Sequence, residues 1–379
     1  EASCVAEFGS FILSPGFAAA HPWRLMAEAS GKPCYSELSF AAQYWKGAIY
    51  AVTGTNGKTT IANLLAEALQ ASGRVALAAG NIGYPLSDAV LSSANLTTSV
   101  AVCEVSSFQA ELPLGLELDA LLWSNFSEDH LDRYDSMWAY FVAKAQLFAC
   151  LKGDGICVLG ESLQPWLERF QQQHPLRVKF DTSAPCPLEL SDHSSYRSEP
   201  HCKNLELVAR FWNAMDLPSA GLETAANQGQ LAPHRLKLEA TWQGVSFWND
   251  SKATNFHAAL AALHALSGPI YWIGGGRGKG GDLATFGQAV LERVEAVFLF
   301  GEIADEFARH LNNDSVSVQV YTDLEAAVQA ATIAARVRDS SHVLLSPGFA
   351  SLDQFNSYAE RGKCFISAVL SLMRADPID

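Results

Sequence analysis

The 379-residue sequence has no apolar run approaching the roughly 20 residues that a membrane-spanning helix requires. It has no basic stripe either. Its net charge is -14, a field that repels nucleic acid. The same field repels nucleotides at long range, so any phosphate site has to be built locally from backbone N–H groups and a few cations. None of the eight cysteines (Cys4, Cys34, Cys103, Cys150, Cys157, Cys186, Cys202 and Cys364) forms a CxxC pair, which argues against zinc. They read as reduced, mostly buried small residues of a cytoplasmic protein. No fixed-period repeat is present.

What is present is length enough for two or three domains and apolar bulk, 49% of residues, enough to bury a sizeable core. Strand-like apolar runs alternate with helical patterns, the signature of α/β units with parallel sheets. Ala48–Val52 reads as a strand and Thr59–Ser72 as the helix after it. Arg74–Ala79, Val100–Val105 and Ala120–Trp123 read as further strands, and Met137–Ala149 as a helix. Asp181–Pro200 is polar, rich in Ser and Pro, and irregular, and Asn204–Met215 returns to helix. A boundary is expected near Gln228–Pro233. Beyond it, strands at Ser246–Trp248, Ile270–Ile273, Ala296–Phe300 and Val343–Leu345 alternate with helices in a second α/β unit. Residues 1–46 are too short for a whole unit of this type, and the chain starts at Glu1 rather than Met. A longer protein is therefore expected.

Gly54-Thr55-Asn56-Gly57-Lys58-Thr59-Thr60 follows a strand and opens a helix. Glycines let the backbone turn tightly and aim N–H groups at phosphate oxygens. Lys58 is suited to neutralising the outer phosphates, and the Thr59 hydroxyl to binding Mg²⁺. The loop is shorter than GxxxxGK[ST], and its rival reading is a plain glycine-rich turn with a solvated lysine. Glu104 and the segment Ser127-Glu-Asp129-His130-Leu-Asp132 follow later strands, whose C-terminal ends line the ligand crevice of an open parallel sheet. Glu104 and His130 are thus candidate Mg²⁺ ligands, although each alone also reads as a cap or a solvated charge, and Asp129 as a helix cap. Lys144 alone reads as a snorkelling surface lysine. In the second unit, Pro233-His-Arg235, Trp248-Asn-Asp250-Ser-Lys252-Ala-Thr254-Asn255 and the glycine-rich Ile273–Asp282 around Lys279 follow the same strand-end logic. Ser346–Phe355, Tyr358 and Arg361-Gly362 close the series.

Taken in order, Ser14-Pro-Gly16, Gly54–Thr60, Gly80-Asn81-Ile-Gly83, Glu104–Gln109, Glu128–Tyr134, His234-Arg235, Asn249–Asn255 and Ser346–Phe355 resemble the Mur ligase family. The resemblance implies a UDP-binding unit, a central P-loop ATPase domain and a C-terminal Rossmann-like α/β domain. These map to a truncated remnant at 1–46, to 47–230 and to 231–379. It implies ATP-dependent ligation of D-glutamate to UDP-N-acetylmuramoyl-L-alanine through an acyl phosphate, in peptidoglycan precursor synthesis, by a cytoplasmic monomer. By resemblance, Thr59 and Glu104 hold one Mg²⁺, and His130 and Lys144 a second. Lys144 matches a lysine that the family carbamylates. An unmodified ammonium ~4 Å from Mg²⁺ is repelled by roughly 4 kcal/mol per unit charge at an effective dielectric near 20, whereas a carbamate is an oxygen ligand. Asn204, Arg235, Asp250 and Lys252 match ATP contacts. Ser14, Gly16, Asn81 and Ser106 match the UDP-substrate site, and Thr254, Lys279, Ser351 and Tyr358 the glutamate pocket. Glu199-Pro-His201-Cys202 departs from the family's Gly-x-His-Asn, and Tyr358 replaces Phe.

Three readings compete: this ligase, another amino-acid or folylpolyglutamate ligase of the same build, and a catalytically impaired ATP-binding scaffold. The Ser351-Leu-Asp-Gln-Phe355 block favours the first over the second. Intact Lys58, Glu104, His130, Lys144 and Lys279 speak against the third.

Overall fold

The computed structural model describes all residues except 1–4, 6, 175, 177, 179, 230, 312–314, 339 and 376–379. Cys4 and Gln230, the latter at the expected boundary, thus lie outside the described residues. The chain forms two compact units. The first comprises Glu1–Ser127, Arg133–Arg197 and His201–Gln230, and the second Leu231–Asp379 with the short excursions Glu128–Asp132 and Ser198–Pro200. No described helix is long and apolar enough to cross a membrane.

In the first unit, β1 (Phe11–Leu13) and β2 (Cys34–Ser36) pair in parallel. Five more strands, β3 (Ala48–Thr53), β4 (Ala76–Gly80), β5 (Val100–Glu104), β6 (Leu118–Trp123) and β7 (Leu151–Leu159), make an all-parallel sheet in the order β4-β5-β3-β6-β7. From β3 the chain runs outward on one side and returns, then crosses to the other side for β6. The strand order thus reverses at the C-terminal end of β3, the place where such sheets bind ligands. The runs are apolar without alternation because both faces are covered, and Ala51, Val52, Leu121 and Leu122 are fully buried. The helix Lys58–Ala71 buries Ile61, Leu64, Leu65, Ala68 and Leu69, at helical spacing. Under the end of β6, Trp123 stacks on Phe141 at 5.0 Å, and Phe126 meets Trp166 at 4.9 Å.

β7 is a strand that the sequence pattern hides. Lys152, Gly153, Asp154 and Gly155 interrupt its apolar run, and its pairing to β6 shifts register between Leu118 and Ala120.

The second unit holds a six-stranded sheet in the order β12-β11-β10-β13-β9-β8: β8 (Lys237–Trp242), β9 (Val245–Asn249), β10 (Ile270–Gly275), β11 (Ala296–Phe300), β12 (Ser317–Tyr321) and β13 (Ser341–Gly348). All neighbours are parallel except the β8–β9 hairpin. That hairpin turns through Gln243 and Gly244 at φ 48° and 77°, the left-handed pair that a two-residue turn requires. Alternate residues feed two cores. Tyr271, Ile273, Phe298 and Phe300 face the helices Leu324–Ala335 and Tyr358–Ala375, whereas Trp272, Val297 and Leu299 face Phe256–Ala265 and Leu283–Leu291.

Candidate functional site

The first unit's candidate site is the turn after β3. Gly54 has φ 148°, and a Cβ there would lie 2.0 Å from Ser124 Oγ. Gly57 has φ 82°, and a Cβ there would lie 2.3 Å from Asn204 Oδ1. Only glycine fits either position, and the buried Asn204 amide lies directly on the loop. The loop is stitched to the end of β6. Thr55 N donates to Asn125 O at 3.0 Å, Asn56 N to Asn125 Oδ1 at 2.9 Å, and Ser124 Oγ to Asn56 O at 2.6 Å. Gly57 is itself the cap of the helix Lys58–Ala71. A glycine has no side chain with which to cap this helix start, where the helix dipole favours an anion.

Four side chains converge on this turn. Lys58 Nζ donates to Gly54 O at 2.9 Å and Thr55 O at 2.7 Å. The Thr59 hydroxyl donates to Glu104, whose other oxygen receives Asn81 Nδ2 at 3.0 Å. Glu104 is buried at the end of β5. It is neither a cap nor a solvated charge. Lys144, from the helix Met137–Cys150, is also buried. Its Nζ donates to Gly54 O at 3.0 Å and Thr53 Oγ1 at 3.3 Å, over the Tyr140 ring. The snorkelling reading of Lys144 fails because this helix lies on the sheet and turns that residue inward.

Ser106 caps Ser107–Ala110, accepting from Gln109 N at 3.2 Å in a capping box. Ser14 Oγ accepts from Gly16 N at 3.3 Å. That segment is tied down by Arg133, which donates to Pro15 O at 3.0 Å and Phe17 O at 3.2 Å. Arg133 also pairs with Glu111, as do Arg24 and the Tyr134 hydroxyl. Burial alone would raise the Glu111 carboxyl, but these donors hold it below the usual carboxylate range.

In the second unit, Asp250 follows β9. Its Oδ2 receives Ser346 Oγ at 2.8 Å and its Oδ1 Leu236 N at 3.0 Å. Burial pushes it up to about 7 against those bonds and the nearby Arg235 and Arg361. Lys252 Nζ lies 3.9 Å over the Tyr358 ring. Burial lowers His234, and Asn249 Nδ2 donates to its Nδ1 at 3.0 Å. Arg361, fully buried, donates to Ser251 O at 2.9 Å and Phe349 O at 3.1 Å. It ties the final helix to two site loops.

Thr254 and Lys279 line one pocket, with Glu128, Asp129, Asn255 and Gly280. Ser351 is buried and Tyr358 half-buried, and neither lines this pocket. Asp129 is not a helix cap. It accepts from Lys279 Nζ at 3.2 Å, Asn255 Nδ2 at 3.1 Å and His130 N at 2.9 Å. Burial opposes its charge, but Lys279 and His130 hold it below the usual range. His130 has φ 58°, with Nε2 3.7 Å from Asp129. Asp129 and Asn255 are the pocket residues that motif reading passed over. The available signal was an Asp beside a candidate metal ligand.

Known proteins are similar to this chain in sequence and fold. The Mur ligase middle domain matches residues 52–227, and the Mur ligase glutamate ligase domain residues 234–349. The UDP-N-acetylmuramoylalanine–D-glutamate ligase of Nitrosomonas europaea is 34% identical, over 96% of this chain and 83% of its own length. The protein of that name in Desulfatibacillum aliphaticivorans is 33% identical, over 95% and 84%. Among solved structures, the MurF ligase of Thermotoga maritima in complex with ADP superposes with TM-score 0.64 at 17% identity, over 94% of this chain and 91% of that one. A folylpolyglutamate synthase of Mycobacterium tuberculosis complexed with ADP and AMPPCP gives 0.63 at 14% identity, over 89% and 94%. At such identities these two speak for the fold alone. With both domain matches in tandem and a relative 34% identical over 96% of this chain, the chain belongs to the Mur ligase family.

Proposed function

We propose that this chain joins D-glutamate to UDP-N-acetylmuramoyl-L-alanine at the expense of ATP, in peptidoglycan precursor synthesis, as a cytoplasmic monomer. One observation carries the chemistry: an uncapped helix start, Lys58, the Thr59–Glu104 pair and buried Lys144 meet at the end of β3. Attack of a carboxylate on a γ-phosphate gathers negative charge, and such positioned cations and N–H groups stabilise it. Loss of ADP leaves an acyl phosphate. The acceptor amine then attacks the acyl carbon, and phosphate departs as the amide forms.

A hydroxyl beside a buried carboxylate is a hard-oxygen pair that fits Mg²⁺, which takes few protein ligands and completes its shell with phosphates and water. Thr59 and Glu104 would hold it, and it would neutralise phosphate charge. His130, and Lys144 as its carbamate, would serve a second ion. Asn204, Arg235, Asp250 and Lys252 serve ATP, and Ser14, Gly16, Asn81 and Ser106 the UDP substrate. Thr254, Lys279, Ser351 and Tyr358 serve the acceptor. The names borne by the relatives support this choice of substrates. ADP release measured with the UDP substrate and a panel of D-glutamate, L-glutamate, lysine, diaminopimelate and folate substrates tests it. Turnover dependent on D-glutamate is expected, and preference for any other acceptor overturns the reading.

A further inference from the structure

The acceptor pocket, on the reading just given, must hold two carboxylates and one ammonium. Of the residues assigned to the acceptor, Thr254 and Lys279 line the pocket and provide a hydroxyl and a cation. Both suit carboxylates, and Lys279 repels an ammonium. The pocket nevertheless contains an anion placed for one. The Asp129 side chain is only 7% exposed. Its Oδ1 receives the Lys279 ammonium at 3.2 Å and the His130 N–H at 2.9 Å, and its Oδ2 receives Asn255 Nδ2 at 3.1 Å. Asn255 is itself fixed, because its Oδ1 caps the helix Phe256–Ala265 through Ala258 N at 2.9 Å. The carboxylate is therefore held from its own backbone and from a helix start, and a cation lies beside it in the same wall.

An α-amino acid carries its ammonium and its carboxylate on a single carbon. A lysine and an aspartate 3.2 Å apart in one pocket present the complementary pair. We propose that Asp129 receives the acceptor's α-ammonium while Lys279 receives a carboxylate, so that the pair reads the zwitterionic head of the amino acid. Asp129 is then an acceptor-recognising residue that binds by charge, with no proton transfer assigned to it. The rival role is purely structural, with Asp129 merely orienting Lys279.

Glutarate separates the two, being the same dicarboxylate without the ammonium. In Asp129→Asn enzyme the KM for D-glutamate is expected to rise about 10- to 100-fold, as for loss of one charge-assisted hydrogen bond. The Ki of glutarate, measured against D-glutamate, should stay unchanged or fall, and the KM values for ATP and the UDP substrate should stay put. Equal weakening of D-glutamate and glutarate overturns the proposal in favour of the orienting role. The wild-type enzyme gives an independent measurement should the variant not fold: it should bind D-glutamate at least about 10-fold more tightly than glutarate, and equal affinity overturns the proposal. Wild-type enzyme that turns over another acceptor but not D-glutamate refutes the acceptor assignment itself, a result distinct from either of these.

Discussion

Two glycine-rich turns, each with a lysine and each following a parallel strand, end up doing different things. After β3 the helix starts at once, at Lys58, with Gly57 as its cap. After β10 the chain wanders through Gly275, Gly276, Gly280 and Gly281, all at positive φ, before a helix starts at Leu283. There Asp282 is the cap, accepting from Ala284 N at 3.1 Å and Thr285 N at 3.0 Å. Its carboxylate fills the helix start that Gly57 leaves open. The lysines diverge accordingly, since Lys58 folds back on the carbonyls of its own loop and Lys279 reaches Asp129. On the proposed reading, the turn before Lys58 suits an anion because the helix that follows it has no side-chain cap. The turn before Leu283, whose helix Asp282 caps, instead carries its lysine to Asp129.

The contrast can be broken or sharpened by experiment. The largest effect is expected for Lys144→Ala, which removes a buried group donating to Gly54 O. Turnover should fall below detection in a folded protein, and short added carboxylates should partly restore it by standing in for the carbamate. An active variant, or one that no acid rescues, returns Lys144 to a structural part. Next comes Lys58→Ala, which should lower ATP-dependent phosphate release about 100- to 1,000-fold, the usual cost of one preorganised transition-state contact. Near-normal release from a folded variant would remove the cradle assignment.

Lys279→Ala should act more narrowly, raising the KM for the acceptor about 10- to 100-fold, as expected for one charge-assisted contact, while the KM for ATP hardly moves. Equal changes in both would erase the distinction between the two turns. The smallest effect belongs to Asp282→Ala. Hydrogen bonds from Thr285 hold the Asp282 carboxyl below its ordinary value of 3.8. Its contribution is therefore present above that value and lost as pH falls through the folded-state pKa. Thermal melts should show a small deficit for the variant near neutral pH that shrinks as pH falls below about 3.8. A deficit independent of pH would mean that the cap acts otherwise.

Much of the site was legible because its parts are local. Gly54–Thr60 announces a strand–turn–helix junction in seven consecutive residues, and the apolar runs announce parallel strands buried on both faces. β7 was not legible, since its glycines and charges erase the pattern and only pairing with β6 makes it a strand. Lys144 was misleading when taken alone, because a lysine in an apolar helix looks the same whether its tip reaches water or a backbone carbonyl. Asp129 looked like a cap because its partners, Asn255 and Lys279, stand 126 and 150 residues away.

The sequence by itself determined most of the elements, the chemistry available at their ends and the family to which they belong. Hydrophobic period, glycine freedom and helix starts all act within a few residues. The tertiary structure alone decided the strand order that puts Glu104 beside Thr59, the burial that turns Lys144 inward, and the pairing of Asp129 with Lys279. Those outcomes depend on which surfaces meet. A charge's neighbours and its distance from water come from residues far along the chain, and no local pattern records them.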